Sequence, residues 1–231
     1  MISPSMRGQL APELLSKSLR FFFQLLYHQF AWAYDLVAYT VSLGQWSEWI
    51  SAAYSRLDVQ PVLEVGFGTG QLQFDLTQKG FAVYGIDESR QMARLTRQKL
   101  VRGGLEPRIL RGVAQNLPFP ANSFGCVVST FPAEYIFDLE TIREIQRVLL
   151  PGGKAVICPV AWITGKTIPQ RLAAGLFRVT HESPPMQELL AGPLQAYSER
   201  LADLGFKVSY EVVESNSSKM LLITAQKSAP A

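Results

Sequence analysis

A mostly parallel, doubly wound α/β sheet ending in an antiparallel hairpin is the fold this sequence predicts, on three observations. Short apolar runs alternate with amphipathic segments from residue 61 to residue 159, the rhythm of strand–helix–strand units whose strands lie parallel and covered on both faces. A glycine-rich turn follows directly on the first of those runs. The last two runs, 206–213 and 219–225, are joined by Glu214-Ser-Asn-Ser-Ser218, too short for a crossover helix, so they pair antiparallel.

In order, an aromatic helical preamble covers residues 19–57. Residues 61–65, Pro-Val-Leu-Glu-Val, read as a buried strand, 66–70 as the glycine turn, and 71–79 as a helix with Leu72 and Leu76 one turn apart. A second strand covers 81–86, and a longer helix covers 89–102 with Ser89 as its N-cap. Short strands follow at 107–111 and at 124–130, the latter valine-rich and closed by Phe131-Pro132. A helix over 139–150 stops at Pro151-Gly152-Gly153, and a fifth strand covers 154–159. Residues 161–185 carry Pro169, Pro184 and Pro185 and read as an insertion over the edge of the sheet; a helix over 186–204 then leads to Gly205 and the hairpin. The domain reading is a helical extension or lid over 1–57 and one domain over 58–231 with that insertion.

Composition narrows the function. The chain has 231 residues, 48% apolar and 11% aromatic, ample for a core, and a net charge of 22 − 19 = +3. Two cysteines, Cys126 and Cys158, and two histidines, His28 and His181, are too few for a disulfide scaffold or a multi-histidine metal centre, so no metal is expected. The basic residues are scattered, without a tract for nucleic acid. Residues 1–18 lack the apolar core of a signal peptide, and a cytoplasmic protein is expected. Residues 21–43 are apolar and aromatic but broken by Gln24, His28, Gln29 and Asp35; burying Asp35 in lipid costs about 3 kcal/mol, so this segment reads as an amphipathic helix over a pocket or on a membrane surface, not a span. The oligomeric state is not legible.

The richest signal is Val62-Leu-Glu-Val-Gly-Phe-Gly-Thr-Gly70. Glycines at 66, 68 and 70 let the backbone turn tightly and approach a ligand with no Cβ in the way. A dinucleotide loop spaces its glycines G-x-G-x-x-G, and here the third falls one residue early. That reading also has no use for Glu64. A nucleoside without phosphates that carries a charged amino-acid tail suits the carboxylate better. At 87 − 70 = 17 residues beyond the loop, Asp87 ends the second strand, where a carboxylate can accept both hydroxyls of a ribose lying across the strand tips. Its alternative role is to cap the following helix.

With these residues the chain resembles the class I S-adenosylmethionine-dependent methyltransferases, in the small-molecule group that includes quinone C-methylating enzymes. The matching stretches are Leu63 to Gly70, Gly85-Ile-Asp-Glu-Ser89, Asn116-Leu-Pro-Phe-Pro120 with Ser123-Phe124, and Arg147-Val-Leu-Leu-Pro-Gly-Gly153. The resemblance implies a Rossmann-like sheet with a reversed C-terminal hairpin and S-adenosylmethionine as cofactor. It implies that Glu64 and the backbone of Gly66, Phe67, Gly68 and Gly70 hold the methionine portion and Asp87 the ribose, with Glu88 a solvated neighbour and Met92 near the adenine. Two positions depart from the pattern. Val113 stands where the family usually has an Asp for the adenine amino group, leaving Ala114 and Gln115 to substitute, and Gly125 stands where an acidic residue often follows Ser-Phe.

Methyl transfer from a sulfonium is an in-line displacement in which the protein mainly aligns the partners and excludes water. The expected acceptor is a small apolar or aromatic molecule; a lipid-linked ring or amine and peripheral membrane contact rest on the aromatic preamble alone. The competing readings are a cofactor-binding module without turnover and an NAD(P)-dependent oxidoreductase. Candidate acceptor-facing or catalytic residues are Tyr34, whose Tyr-Asp pair resembles one that closes over the cofactor in family members, Glu134 and Tyr135 after the fourth strand, and His181 as a base in the insertion.

Overall fold

The computed structural model describes residues 45–165, 167, 189, 192–215 and 217–229. In chain order these form α1 (Trp46–Tyr54), β1 (Val62–Val65), α2 (Gln71–Gln78), β2 (Val83–Asp87), α3 (Arg90–Arg102), β3 (Ile109–Arg111), β4 (Phe124–Thr130) and a short 3-10 helix (Glu134–Phe137). Then come α4 (Leu139–Val148), β5 (Leu149–Ile163), α5 (Pro193–Asp203), β6 (Phe206–Ser215) and β7 (Ser218–Lys227). The strands make one sheet in the order β3-β2-β1-β4-β5-β7-β6. Strands β1 to β5 are parallel; β7 pairs antiparallel with β5 and β6, as the short connection demands. From β1 the chain steps outward to β2 and β3, then returns to lay β4 on the other side of β1. That reversal opens a crevice at the C-terminal ends of β1 and β4, where ligands of such sheets bind.

Strand alternation sorts the core into two faces. Leu63 and Val65 of β1 pack with Ile142, Ile145 and Val148 of α4 and Tyr197 and Leu201 of α5. Val62 packs on the other side with Leu72 and Leu76 of α2 and Trp49 of α1. The described end of the N-terminal extension is therefore part of the core. Trp49 donates its indole N–H to the Ser218 hydroxyl at 2.9 Å, and Trp46 stacks on Phe131 at 4.7 Å between ring centres.

Two elements differ from expectation. Helix α4 stops at Val148, and Leu149 is already extended and paired with Phe124, so Pro151-Gly152-Gly153 lies inside β5 at a register shift. The strand then runs past Pro159 to Ile163, into the first residues of the expected insertion, because β7 offers partners out to Ser218. Pro159, which has no N–H, falls at a second shift.

A clasp ties the segment leading into β4 to the end of α4, at the N-terminal ends of β4 and β5. The Arg147 guanidinium donates to the carbonyls of Phe119 (2.7 Å) and Leu117 (2.9 Å), and Glu144, bound to that guanidinium at 2.7 Å, accepts the Leu117 N–H at 2.7 Å. Two matching stretches distant in sequence are thereby one structural unit.

Candidate active site

The glycine turn leaves β1 with Gly66, Gly68 and Gly70 all at positive φ (78°, 52° and 76°), a path open to glycine without strain. Each glycine meets different surroundings. A Cβ on Gly66 would strike the Tyr135 hydroxyl, and one on Gly70 would strike the fully buried Thr96, whereas Gly68 faces open space. The turn is thus packed at both ends and open in the middle. It is pinned from below: the Thr96 hydroxyl donates to the Gly68 carbonyl at 2.8 Å, and the Gly68 N–H donates to Asp87 Oδ2 at 2.9 Å.

Asp87 sits at the tip of β2, 3% exposed, and its Oδ1 accepts the Ser89 N–H at 2.8 Å. Ser89 is the N-cap of α3, accepting the Met92 N–H at 3.3 Å. Asp87 therefore ties the turn to the start of α3, and capping belongs to its neighbour. Glu88 is exposed beside it, its carbonyl accepting from Arg111. The side chains of Phe67 and Met92 are buried with Leu100 and Ile109 as a floor under the turn, so Phe67 offers a ligand only its backbone.

Glu64 is the most unusual group in the site. It is 2% exposed in a strand otherwise of Val and Leu, and its Oε2 has no hydrogen-bond partner. Burial pushes its carboxyl up to about 8, against a hydrogen bond from Gln73 that favours the ionised form. A buried carboxyl oxygen without a partner fits a ligand that brings a cation, such as the ammonium of an amino-acid tail, because only a cation would hold the ionised form there, whereas a pyrophosphate would oppose ionisation. The open face of Gly68 and the carboxylate at the β2 tip fit the rest of such a nucleoside.

Across the crevice, the Ser129 hydroxyl donates to the Val65 carbonyl at 2.7 Å, and the Tyr135 hydroxyl lies 3.4 Å from the same oxygen. Burial pushes the Tyr135 phenol up to about 12, so it stays protonated at neutral pH. Glu134, next to it, is exposed. Beyond β3, Val113 is exposed, Ala114 is buried, and the Gln115 amide donates to Asp138 at 2.8 Å. Tyr34, His28, His181 and the aromatic segment 21–43 lie outside the described residues. Among those described, no group of three metal-ligating side chains occurs and no helix is long and apolar enough to cross a membrane.

Gln73, Thr96 and Ser129 escaped the sequence reading. Gln73 and Thr96 are polar positions on amphipathic helices, where solvent is the ordinary destination, yet both are buried under the turn. The faint signal for Gln73 is Gly85, whose missing side chain makes room for it. Gly125 is explained by the same kind of contact. A Cβ there would lie 2.8 Å from the Val59 carbonyl carbon, and its N–H donates to Pro61 at 2.9 Å, so the segment entering β1 takes the space an acidic side chain would need.

Residues 63–157 match a family model described as a methyltransferase domain. A demethylmenaquinone methyltransferase of Thermus thermophilus is 30% identical over 208 residues, covering 81% of this chain and 94% of the relative. One from Tropheryma whipplei is 30% identical over 179 residues, covering 74% and 71%. Among solved structures, an S-adenosylmethionine-dependent methyltransferase of Methanosarcina mazei aligns with a TM-score of 0.54 at 22% identity, over 78% of this chain and 98% of that one. A geranyl diphosphate methyltransferase in complex with its substrate and sinefungin aligns with a TM-score of 0.56 at 17% identity, over 78% and 77%. The sheet is the one these structures share, and the turn with its buried acid suits S-adenosylmethionine: the chain belongs to the class I S-adenosylmethionine-dependent methyltransferases and is similar to the demethylmenaquinone methyltransferases named above.

Proposed function

We propose that this enzyme moves the methyl group of S-adenosylmethionine to a small apolar or aromatic acceptor, a quinone-type ring being the first to test. The observation that carries the acceptor class is the ring cluster at the C-terminal end of β4. Phe131, Trp46 and Trp49 pack together there, with Tyr135 in the next turn of chain. Phe131 holds a positive φ of 50°, a strained setting for a bulky residue that its surroundings must maintain. The likeness to demethylmenaquinone methyltransferases over most of their length supports the same class.

The bound cofactor supplies a sulfonium-activated methyl group, so chemistry is a displacement along the line from acceptor to sulfur. Glu64 takes the ammonium of the amino-acid tail, the glycine backbone lies along the methionine portion, and Asp87 accepts the ribose hydroxyls. Glu88, the backbone of Ala114, and Gln115 lie along the adenine, with the Gln115 amide steadied by Asp138, and Met92 supports the site only from the buried floor beneath it. Tyr135 closes the end of the crevice at Gly66 and excludes water. As a protonated phenol whose one hydrogen faces the Val65 carbonyl, it does not remove a proton. Residues 1–57 and the insertion at 161–185 are the segments assigned to covering the acceptor, with Tyr34 and His181 their candidate contacts and Glu134 at the rim.

The test is transfer of labelled methyl from S-adenosylmethionine to a panel of a demethylmenaquinone analogue, a simple phenol and a phospholipid amine. Turnover on the quinone analogue, lowered at least tenfold by Phe131→Ala with cofactor affinity kept, is the expected result. Transfer confined to a polar amine would overturn the acceptor class.

A further inference from the structure

Gln73 has a position that a helix-surface amide does not ordinarily occupy. It is 1% exposed, and its Nε2 donates to the Tyr84 carbonyl of β2 at 3.1 Å, while the same amide lies beside the Glu64 carboxyl of β1 and favours its ionised form. A Cβ at Gly85 would lie 2.9 Å from that nitrogen, so the glycine is what admits it. The amide thus ties α2 to β2 below the glycine turn and lies beside Glu64, whose Oε2 is left without a partner. We propose that Gln73 is a positioning residue, holding Glu64 with one oxygen reserved for a primary ammonium, and that capture of the cofactor's amino-acid tail is coupled to loss of a proton from Glu64. The inference rests on the tail-binding role assigned to Glu64 above.

The groups around Glu64 set the direction. Asp87 from β2 and Asp75 from α2 oppose its ionisation, Lys99 from α3 favours it, and Tyr135 from the 3-10 helix faces it as a neutral phenol. Burial outweighs them, so the free protein holds the carboxyl protonated up to about pH 8. When the ammonium arrives the proton passes to solvent and a charge pair remains. No other bond is made or broken.

S-adenosylhomocysteine, which carries the tail, and 5′-methylthioadenosine, which lacks it, separate this from ordinary packing. On the wild-type protein, affinity for S-adenosylhomocysteine should rise about 50-fold from pH 6 to pH 8, while that for methylthioadenosine stays flat. Calorimetry at pH 7 in two buffers of different ionisation enthalpy should register close to one proton released with the first ligand and none with the second, a readout that needs no variant. In Gln73→Leu the rise should move to higher pH, because an N–H that favours the ionised form is gone, with methylthioadenosine binding unchanged. A flat profile and no proton release would overturn the inference, as would a Gln73→Leu protein that weakens both ligands equally at every pH. Failure of both ligands to bind would overturn the cofactor site beneath it.

Discussion

Asp87 does two jobs, and Asp87→Asn separates them. Its carboxylate accepts N–H groups from Gly68 and Ser89 at 2.9 and 2.8 Å while almost wholly buried, and a carboxylate has about four acceptor positions, enough to take a ribose diol as well. Asparagine keeps the shape but turns one oxygen into an amide that points N–H at N–H. Hydrogen bonds to a charged acceptor contribute about 1.5–3 kcal/mol each, so a loss near 2 kcal/mol should lower the melting temperature by about 4–8 °C in a domain of this size. The same loss at the ribose is about 30-fold in affinity. The assay is calorimetric titration of both proteins with S-adenosylhomocysteine and its 2′-deoxy analogue, alongside thermal melts. Wild type should prefer the ribose ligand by about 30-fold, and the variant should prefer it by less than about threefold. A variant that melts lower yet keeps the full preference would show that Asp87 only pins the turn, and the ribose assignment would fall.

Three further outcomes follow from particular contacts. Glu64→Gln should flatten the pH dependence of unliganded stability: the folded carboxyl is raised, so wild type loses stability as pH climbs from 4.5 to about 8, and at pH 8 the variant should melt higher while binding S-adenosylhomocysteine more weakly. A wild-type melting temperature that is constant over that interval contradicts the buried-acid account. Glu144 is held below the ordinary carboxyl value of 4.5 by Arg147, so its contribution is complete above 4.5 and fades as pH falls through its lowered value. Acid melts of wild type should therefore drop more steeply below pH 4.5 than those of Glu144→Gln, and parallel curves would remove the clasp from the stability argument. Gly125→Ala overpacks the contact with Val59, at a cost of about 2 kcal/mol, and should lower the melting temperature by about 4–8 °C; a change within one degree would show that the segment before β1 yields freely.

Much of this was legible in the residues. The mostly parallel sheet and its antiparallel end followed from short apolar runs alternating with amphipathic segments and one connection too short to cross over. Glu64 declared itself as an acid in an apolar strand, and Ser89 as an N-cap. What stayed hidden depends on tertiary contacts. Strand β5 runs on to Ile163 because β7, some sixty residues later, supplies its partners. Gly125 reads as a departure from a family pattern until the backbone of Val59 is seen against it. Gln73 and Thr96 look like solvent-facing positions because helical periodicity records which face is apolar, and it cannot distinguish a polar side chain in water from one that props a turn.

The most direct test of the central claim is parallel titration of the purified protein with S-adenosylmethionine, S-adenosylhomocysteine and NADH. The account predicts micromolar binding of both sulfur nucleotides, lost together on Glu64→Ala, and no heat with NADH. Saturable binding of NADH with none of the sulfur nucleotides would contradict it, because the early third glycine and the buried Glu64 would then be serving a pyrophosphate.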